Sequence, residues 1–335
     1  MSLQLNPVIG RELKERVRGL RAFIAMTVFV IVLVLTAFFV YAASKENTSN
    51  FGIFDIGRQT RIGRDLFEWI LLVMTCLVLF FVPGLTAGAV AGERERQTLQ
   101  PLQVTLLRPR SILIGKMIAA VAYLVLLIVA SLPLMAMCSL LGGVRVVDIV
   151  RGTIGVILTA IALSAMVVCI STFAKRVQTA TVLAYAFTAL LLASGPLAYG
   201  MASVLDARSS GDQTQAPAFL LAINPIVLVS DLTASRTLTG DGPLTAVERE
   251  VAVAKTNNDG WFDWFPDRDG FNLLNQQPMV EPAVFFPDQI DNPAADSFAL
   301  GTPAWALALA FLSTVTVALF VLAARHLRTP AEVER

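Results

Sequence analysis

The sequence predicts an all-α membrane protein with six transmembrane helices, preceded by an N-terminal amphipathic helix and interrupted by one long polar loop between spans five and six. Three observations predict it. The 335-residue chain is 56% hydrophobic and only 15% charged, where soluble domains carry roughly 25% charge. Its apolar residues gather in six runs of the length that crosses a hydrocarbon core, about 20 residues for roughly 30 Å, with every backbone group bonded inside the helix. Its short basic segments fall on alternate sides of those runs.

Residues 1–21 come first. Ile9, Leu13, Val17 and Leu20 recur at steps of four, four and three on one face of a helix whose remainder is charged, with Arg11, Glu12, Lys14, Glu15, Arg16, Arg18 and Arg21. Such a segment is either a helix lying in the membrane interface or a plain positive flank that orients the next span. The run at 22–43 exceeds the apolar core of a signal peptide, about 7 to 15 residues, and no A-x-A site follows it closely, so a retained span is expected. The remaining spans are 66–90, 112–141, 152–173, 178–201 and 303–324. Pro83, Pro133 and Pro196 fall inside spans two, three and five, where neighbouring groups must satisfy the carbonyls they free.

Segment 202–302 is the extended polar region, read as an outer loop or cap, with residues 326–335 as a short inner tail. Within it, 217–229 is apolar but too short to span, which suits a re-entrant or interfacial piece. Residues 259–266 mix Trp261, Phe262, Trp264 and Phe265 with Asp259 and Asp263, as a packed cap or an outer interface would.

Lys and Arg are retained on the cytoplasmic side of short loops. With both termini inside, the inner segments hold the basic residues at 11–21, those from Arg94 to Lys116, Lys175 with Arg176, and Arg325 with Arg328. The first outer loop opposes this, since it holds Lys45, Arg58, Arg61 and Arg64.

Span two runs out into Gly92-Glu93-Arg94-Glu95-Arg96-Gln97-Thr98-Leu99, where acid and base alternate, and Leu99, Leu102 and Leu106 recur at steps of three and four. A short helix at about 92–110 could dock in a groove of a cytoplasmic partner. A solvated charge run fits the same residues. Gly84, Gly88 and Gly92 repeat every four residues, which allows close packing on a neighbour, although glycine is common in membrane helices anyway.

Two of these places resemble the ABC-2 type permeases, the membrane subunits of a class of bacterial ABC exporters. Asn6 through Leu13 is similar to their N-terminal elbow helix. Pro83 through Leu99, with Arg110-Ser111-Ile112 and Gly115-Lys116, is similar to their coupling region. The resemblance implies an elbow helix containing Arg11, Glu12 and Leu13. It implies that Glu93, Arg94, Glu95 and Arg96 meet nucleotide-binding subunits, with Thr98 and Leu99 opening the docked helix. It further implies two such ATPase subunits carrying ATP and Mg, a second permease forming a dimer, and a bacterial cytoplasmic membrane with both termini inside. The 202–302 loop is longer than the family leads one to expect, and its size leaves room for an extracytoplasmic partner. The implied function is outward movement of a hydrophobic or amphipathic compound; transmission of ATP-driven motion to an outer partner is the alternative.

Other chemistries find little support. A P-loop needs G-x-x-x-x-G-K-[ST], yet Arg110 takes the first glycine position before Gly115-Lys116 and Met117 follows it, so no cofactor is expected on this chain. An intramembrane hydrolase could use Ser194, but His326, the single histidine, is expected at the other side of the bilayer. One histidine with Cys76, Cys138 and Cys169 scattered in apolar runs makes no metal or disulfide framework. Asp267 and Asp269 before Gly270 lack the rest of a calcium loop. Asp65, Glu68, Asp148 and Arg151 sit near span ends, leaving no expected ion path. No nucleic-acid partner is expected.

Overall fold

In a computed structural model, the described residues are 19–46, 56–95, 97, 109–209, 221, 224–233, 242–247 and 304–326. They form eight helices and no strand: α1 (Leu20–Glu46), α2 (Ile56–Thr86), α3 (Gly88–Glu95), α4 (Pro109–Leu141), α5 (Val146–Phe173), α6 (Val177–Ser209), α7 (Pro225–Thr233) and α8 (Ala304–His326), with one further helical turn at 243–247. Among the described residues six stretches are long and apolar enough to cross a membrane, α2 and α3 together supplying the second. The all-α class with six spans is the one the sequence predicts; the N-terminal amphipathic helix and most of the 202–302 segment lie outside the described residues.

α5 is the most enclosed span, packing on α2, α3, α4, α6, α7 and α8. α1 lies at the periphery against α2 and α4, with Phe29 and Leu33 inward and Phe23, Phe38 and Phe39 exposed. A bilayer explains such outward apolar residues without a further partner. The main core joins Phe67, Leu71 and Met74 of α2 to Leu124 and Leu127 of α4 and Leu163 of α5. The bundle has two ends. The one holding Glu93–Glu95, the start of α6 and the end of α8 is called lower; there Ala323 packs with Ala89, Val90, Val168 and Cys169. The upper end holds the starts of α2 and α5, with α7.

Several boundaries differ from those read in the sequence. α2 begins at Ile56, so Arg58, Arg61 and Arg64 are helical rather than loop residues. α5 begins at Val146 and α6 continues to Ser209. Between α4 and α5 the chain turns through Gly142 and Gly143 at φ 90° and 81°, where L side chains are strained. A Cβ on Gly143 would also strike the carbonyl of Thr60. α5 then starts on Asp148, whose carboxylate accepts from the Arg145 amide (3.2 Å), Nε (3.1 Å) and Nη2 (3.0 Å). An acid in the first turn complements the helix dipole. The hydrogen bond, then the charge, of Asp148 pushes the Arg145 guanidinium up from its ordinary pKa.

Candidate functional site

At the lower end, Pro83 removes one helical donor from α2, and the helix breaks four residues later at Ala87 before resuming as α3. Ala87 keeps one helical bond, its amide donating to the Pro83 carbonyl at 2.9 Å. Ser171 of α5 supplies the rest: its Oγ donates to the Ala87 carbonyl (2.5 Å) and accepts from the Val90 and Ala91 amides (3.1 Å each).

The charged end of α3 reaches two further elements. Arg94 Nη1 donates to the Ala174 carbonyl just past α5 (3.2 Å). Glu95 Oε2 accepts from the Val177 amide at the start of α6 (3.1 Å), placing a carboxylate on a helix N-terminus whose free amides carry positive charge. Glu93 and Arg94 are half-buried and Glu95 is exposed. Gln97 follows with φ 58°, its amide bonded to the Arg94 carbonyl at 3.1 Å, which turns the chain out of α3. Arg96, Thr98 and Leu99 lie outside the described residues, as do Arg11, Glu12 and Leu13 of the N-terminal segment.

The three glycines at fourfold spacing share a face toward α6. A Cβ on Gly84 would stand 3.0 Å from the Tyr185 hydroxyl, and on Gly88 and Gly92 at 3.5 and 3.6 Å from Val177. Tyr185 itself donates to the Phe80 carbonyl at 3.2 Å.

The upper end holds residues that sequence reading missed. Glu68 is wholly buried and Arg64 nearly so; Arg64 Nε donates to Glu68 Oε1 at 2.8 Å. Glu68 also accepts from the Thr245 amide (2.8 Å) and hydroxyl (2.5 Å), and Arg64 Nη2 donates to the Thr233 carbonyl (3.0 Å). The pair therefore ties two pieces of the 202–302 segment to α2. One of those pieces, α7, lies between α5 and α8, and a Cβ on Gly155 of α5 would meet Leu232 at 2.8 Å.

α7 covers the end of the 217–229 apolar stretch and is buried inside the bundle. Asn224 begins it: Oδ1 accepts from the Ile226 amide (2.9 Å) as an N-cap before Pro225. The amide's other end, Nδ2, donates to the Leu192 carbonyl on α6 at 3.0 Å. Leu192 stands four residues before Pro196, so its carbonyl is the one that proline deprives of a helical donor. The signals were present as Arg64 and Glu68 at i, i+4, and as an Asn-Pro pair after a proline-bearing span.

Ser194 donates to the Leu191 carbonyl of its own helix (3.0 Å), while His326 closes α8 at the lower end. Among the described residues no three His, Cys, Asp or Glu side chains could share a metal ion.

A family model described as ABC-2 family transporter protein matches residues 7–329. No curated protein matches the chain.

Proposed function

Because the chain belongs to the ABC-2 family of transporter proteins, of which it is a multi-pass membrane permease subunit, we propose that it is the membrane half of an ATP-driven exporter whose ATPase is a separate polypeptide. Two nucleotide-binding subunits, holding ATP and Mg, meet the segment from Glu93 to Leu99 and the elbow helix with Arg11, Glu12 and Leu13. Two permeases form the path, with both termini in the cytoplasm of a bacterium. The lower end is then the cytoplasmic end, and the 202–302 segment lies on the outer side.

The observation that carries this reading is the geometry of α3. It ends span two with its apolar half buried and a charged tip, Glu93 to Glu95, hydrogen-bonded to the chain just past α5 and to the start of α6, so a push on the tip reaches two further spans at once. ATP binding closes the ATPase pair, displaces α3 and the elbow helix, and rocks α1, α2 and α6 about the dimer axis. The ATPase shifts this equilibrium only by binding one arrangement more tightly than the other. The path is lined by apolar spans, which suits a hydrophobic or amphipathic substrate such as a lipid or a drug-like compound.

The test is purification of the chain in mild detergent from its native membrane, with mass spectrometry of what remains bound and an assay of ATP turnover. A co-purifying P-loop ATPase, released or uncoupled by Glu93→Ala or Arg96→Ala, is the expected result. Recovery of no ATPase, or full coupling in both variants, overturns the reading.

A further inference from the structure

The break at Ala87 leaves a helix start with no cap of its own. The first amides of any helix lack intrahelical acceptors, and the residue before the first turn ordinarily supplies one from a Ser, Thr, Asp or Asn side chain. Ala87 stands in that place and has nothing to offer. The site is closed to water, with Ala87 1%, Val90 2% and Ala91 0% exposed. An open amide there would carry its full desolvation cost.

Ser171 meets that need from 80 to 84 residues away in the chain. A hydroxyl has one donor and two acceptor positions, and here all three are used, one on the last carbonyl of the break and two on the amides of α3. The cap of α3 is thus a part of α5. A local cap would steady α3 and leave its tie to α5 to the Arg94–Ala174 bond at its tip; a cap held by α5 steadies α3 and fixes it to α5 at the break itself.

We propose that Ser171 is the positioning residue that makes this break a force-transmitting joint, so that displacement of the Glu93–Glu95 tip moves α5 instead of bending the chain at Ala87. The consequence travels, because α5 carries Gly152 and Gly155 at its other end, against Thr233 and Leu232 of α7. A signal entering at the lower end then arrives at the segment that fills the upper end. This inference rests on the transporter reading above.

The experiment uses the full chain with its co-purified ATPase in lipid nanodiscs. Hydrogen exchange comes first: in Ser171→Ala the amide of Val90 should exchange about fivefold faster, the scale of one lost helix cap. Spin-label pairs come second, in a background with Cys76, Cys138 and Cys169 replaced by alanine. One pair, at Gln97 and Lys175, spans the joint; the other, at Val146 and Ala246, spans the upper end.

In the unsubstituted joint, ATP with Mg should change the upper distance and leave the lower one fixed. In Ser171→Ala, ATP turnover should persist while the lower distance changes and the upper response is lost. The double variant Ala87→Ser with Ser171→Ala restores a local cap without the tie. It should recover slow exchange and still lack the upper response. A normal upper response in Ser171→Ala, or its return in the double variant, overturns the proposal. Recovery of no ATPase with the unsubstituted chain overturns the transporter reading and this inference with it.

Discussion

The two ends of the bundle are joined by different chemistry. At the upper end a buried guanidinium–carboxylate pair, Arg64 and Glu68, gathers the Thr233 carbonyl and the Thr245 amide and hydroxyl. At the lower end the joint is a neutral hydroxyl on backbone groups, with the charges of Arg94 and Glu95 at the rim reaching a carbonyl and an amide. Two charges taken out of water hold only while both are present, because either one alone is left uncompensated. Neutral bonds to backbone are individually modest, about 0.5 to 1.5 kcal/mol net. The upper end therefore tolerates the loss of neither charge, whereas at the lower end each bond can be removed at a modest separate cost.

The sharpest way to break that contrast is to remove one charge. Glu68→Ala removes the buried carboxylate that Arg64 and the Thr245 amide and hydroxyl share, and should destabilise the chain by about 3 to 5 kcal/mol. Unfolding in mixed detergent and SDS micelles measures it. Replacing both, Arg64→Leu with Glu68→Leu, should recover part of the loss. The recovery stays partial because the double variant leaves the Thr245 amide without Glu68, as the single does, and also takes Arg64 from the Thr233 carbonyl. A single variant as stable as the parent would remove the distinction between the ends.

Asn224 gives the next effect. Asn224→Ala removes the N-cap of α7 and strands the Leu192 carbonyl, a loss of about 2 kcal/mol when a cap and one buried acceptor are both forfeited. Pro196→Ala returns a helical donor to that carbonyl. The double variant should therefore lose less than the sum of the two singles, by about 1 kcal/mol. Strict additivity in the same unfolding assay would separate the Asn224 contact from the proline.

These residues also mark the limit of what the sequence disclosed. Six spans were legible because a bilayer demands long apolar runs, and that demand leaves a signal in any window of 20 residues. The start of α2 was not. Its first turns carry Arg58, Arg61, Arg64 and Glu68, and hydropathy scores a charge as exposed unless its partner is known. α7 was half visible, as an apolar stretch too short to span. Its depth was not, because that rests on Asn224 meeting Leu192 and on Thr233 meeting Arg64, 169 residues apart. At the lower end, Glu93 to Glu95 stood out as a charge run and by resemblance. Ser171, one of many serines in apolar helices, had no local pattern to distinguish it.

The third effect is smaller and tests the glycine face. In Gly84→Ala the new methyl group meets the Tyr185 hydroxyl and should displace it from the Phe80 carbonyl. Removing a helical glycine favours the helix by roughly 0.5 to 1 kcal/mol, and losing one hydrogen bond costs about the same. A net change near zero is expected in the unfolding assay. With Tyr185→Phe already in place there is no hydrogen bond left to lose, so adding Gly84→Ala should stabilise the chain. Destabilisation in that background would mean that α2 and α6 touch more tightly than through this hydroxyl.

Glu95→Gln touches the fewest stabilising contacts and so separates the ends most clearly. The side chain is exposed, its bond to the Val177 amide can be kept by the amide oxygen, and only the charge on the α6 N-terminus is lost. Surface charge on a helix end is weak and screened by salt, so stability should stay within about 0.5 kcal/mol of the parent. ATP turnover by the bound ATPase is the second readout, and here a clear change is expected, because α3 would grip α6 less firmly while remaining folded. A variant silent in both would place Glu95 in the solvated part of the charge run and leave Ser171 and Arg94 as the ties between α3 and the bundle.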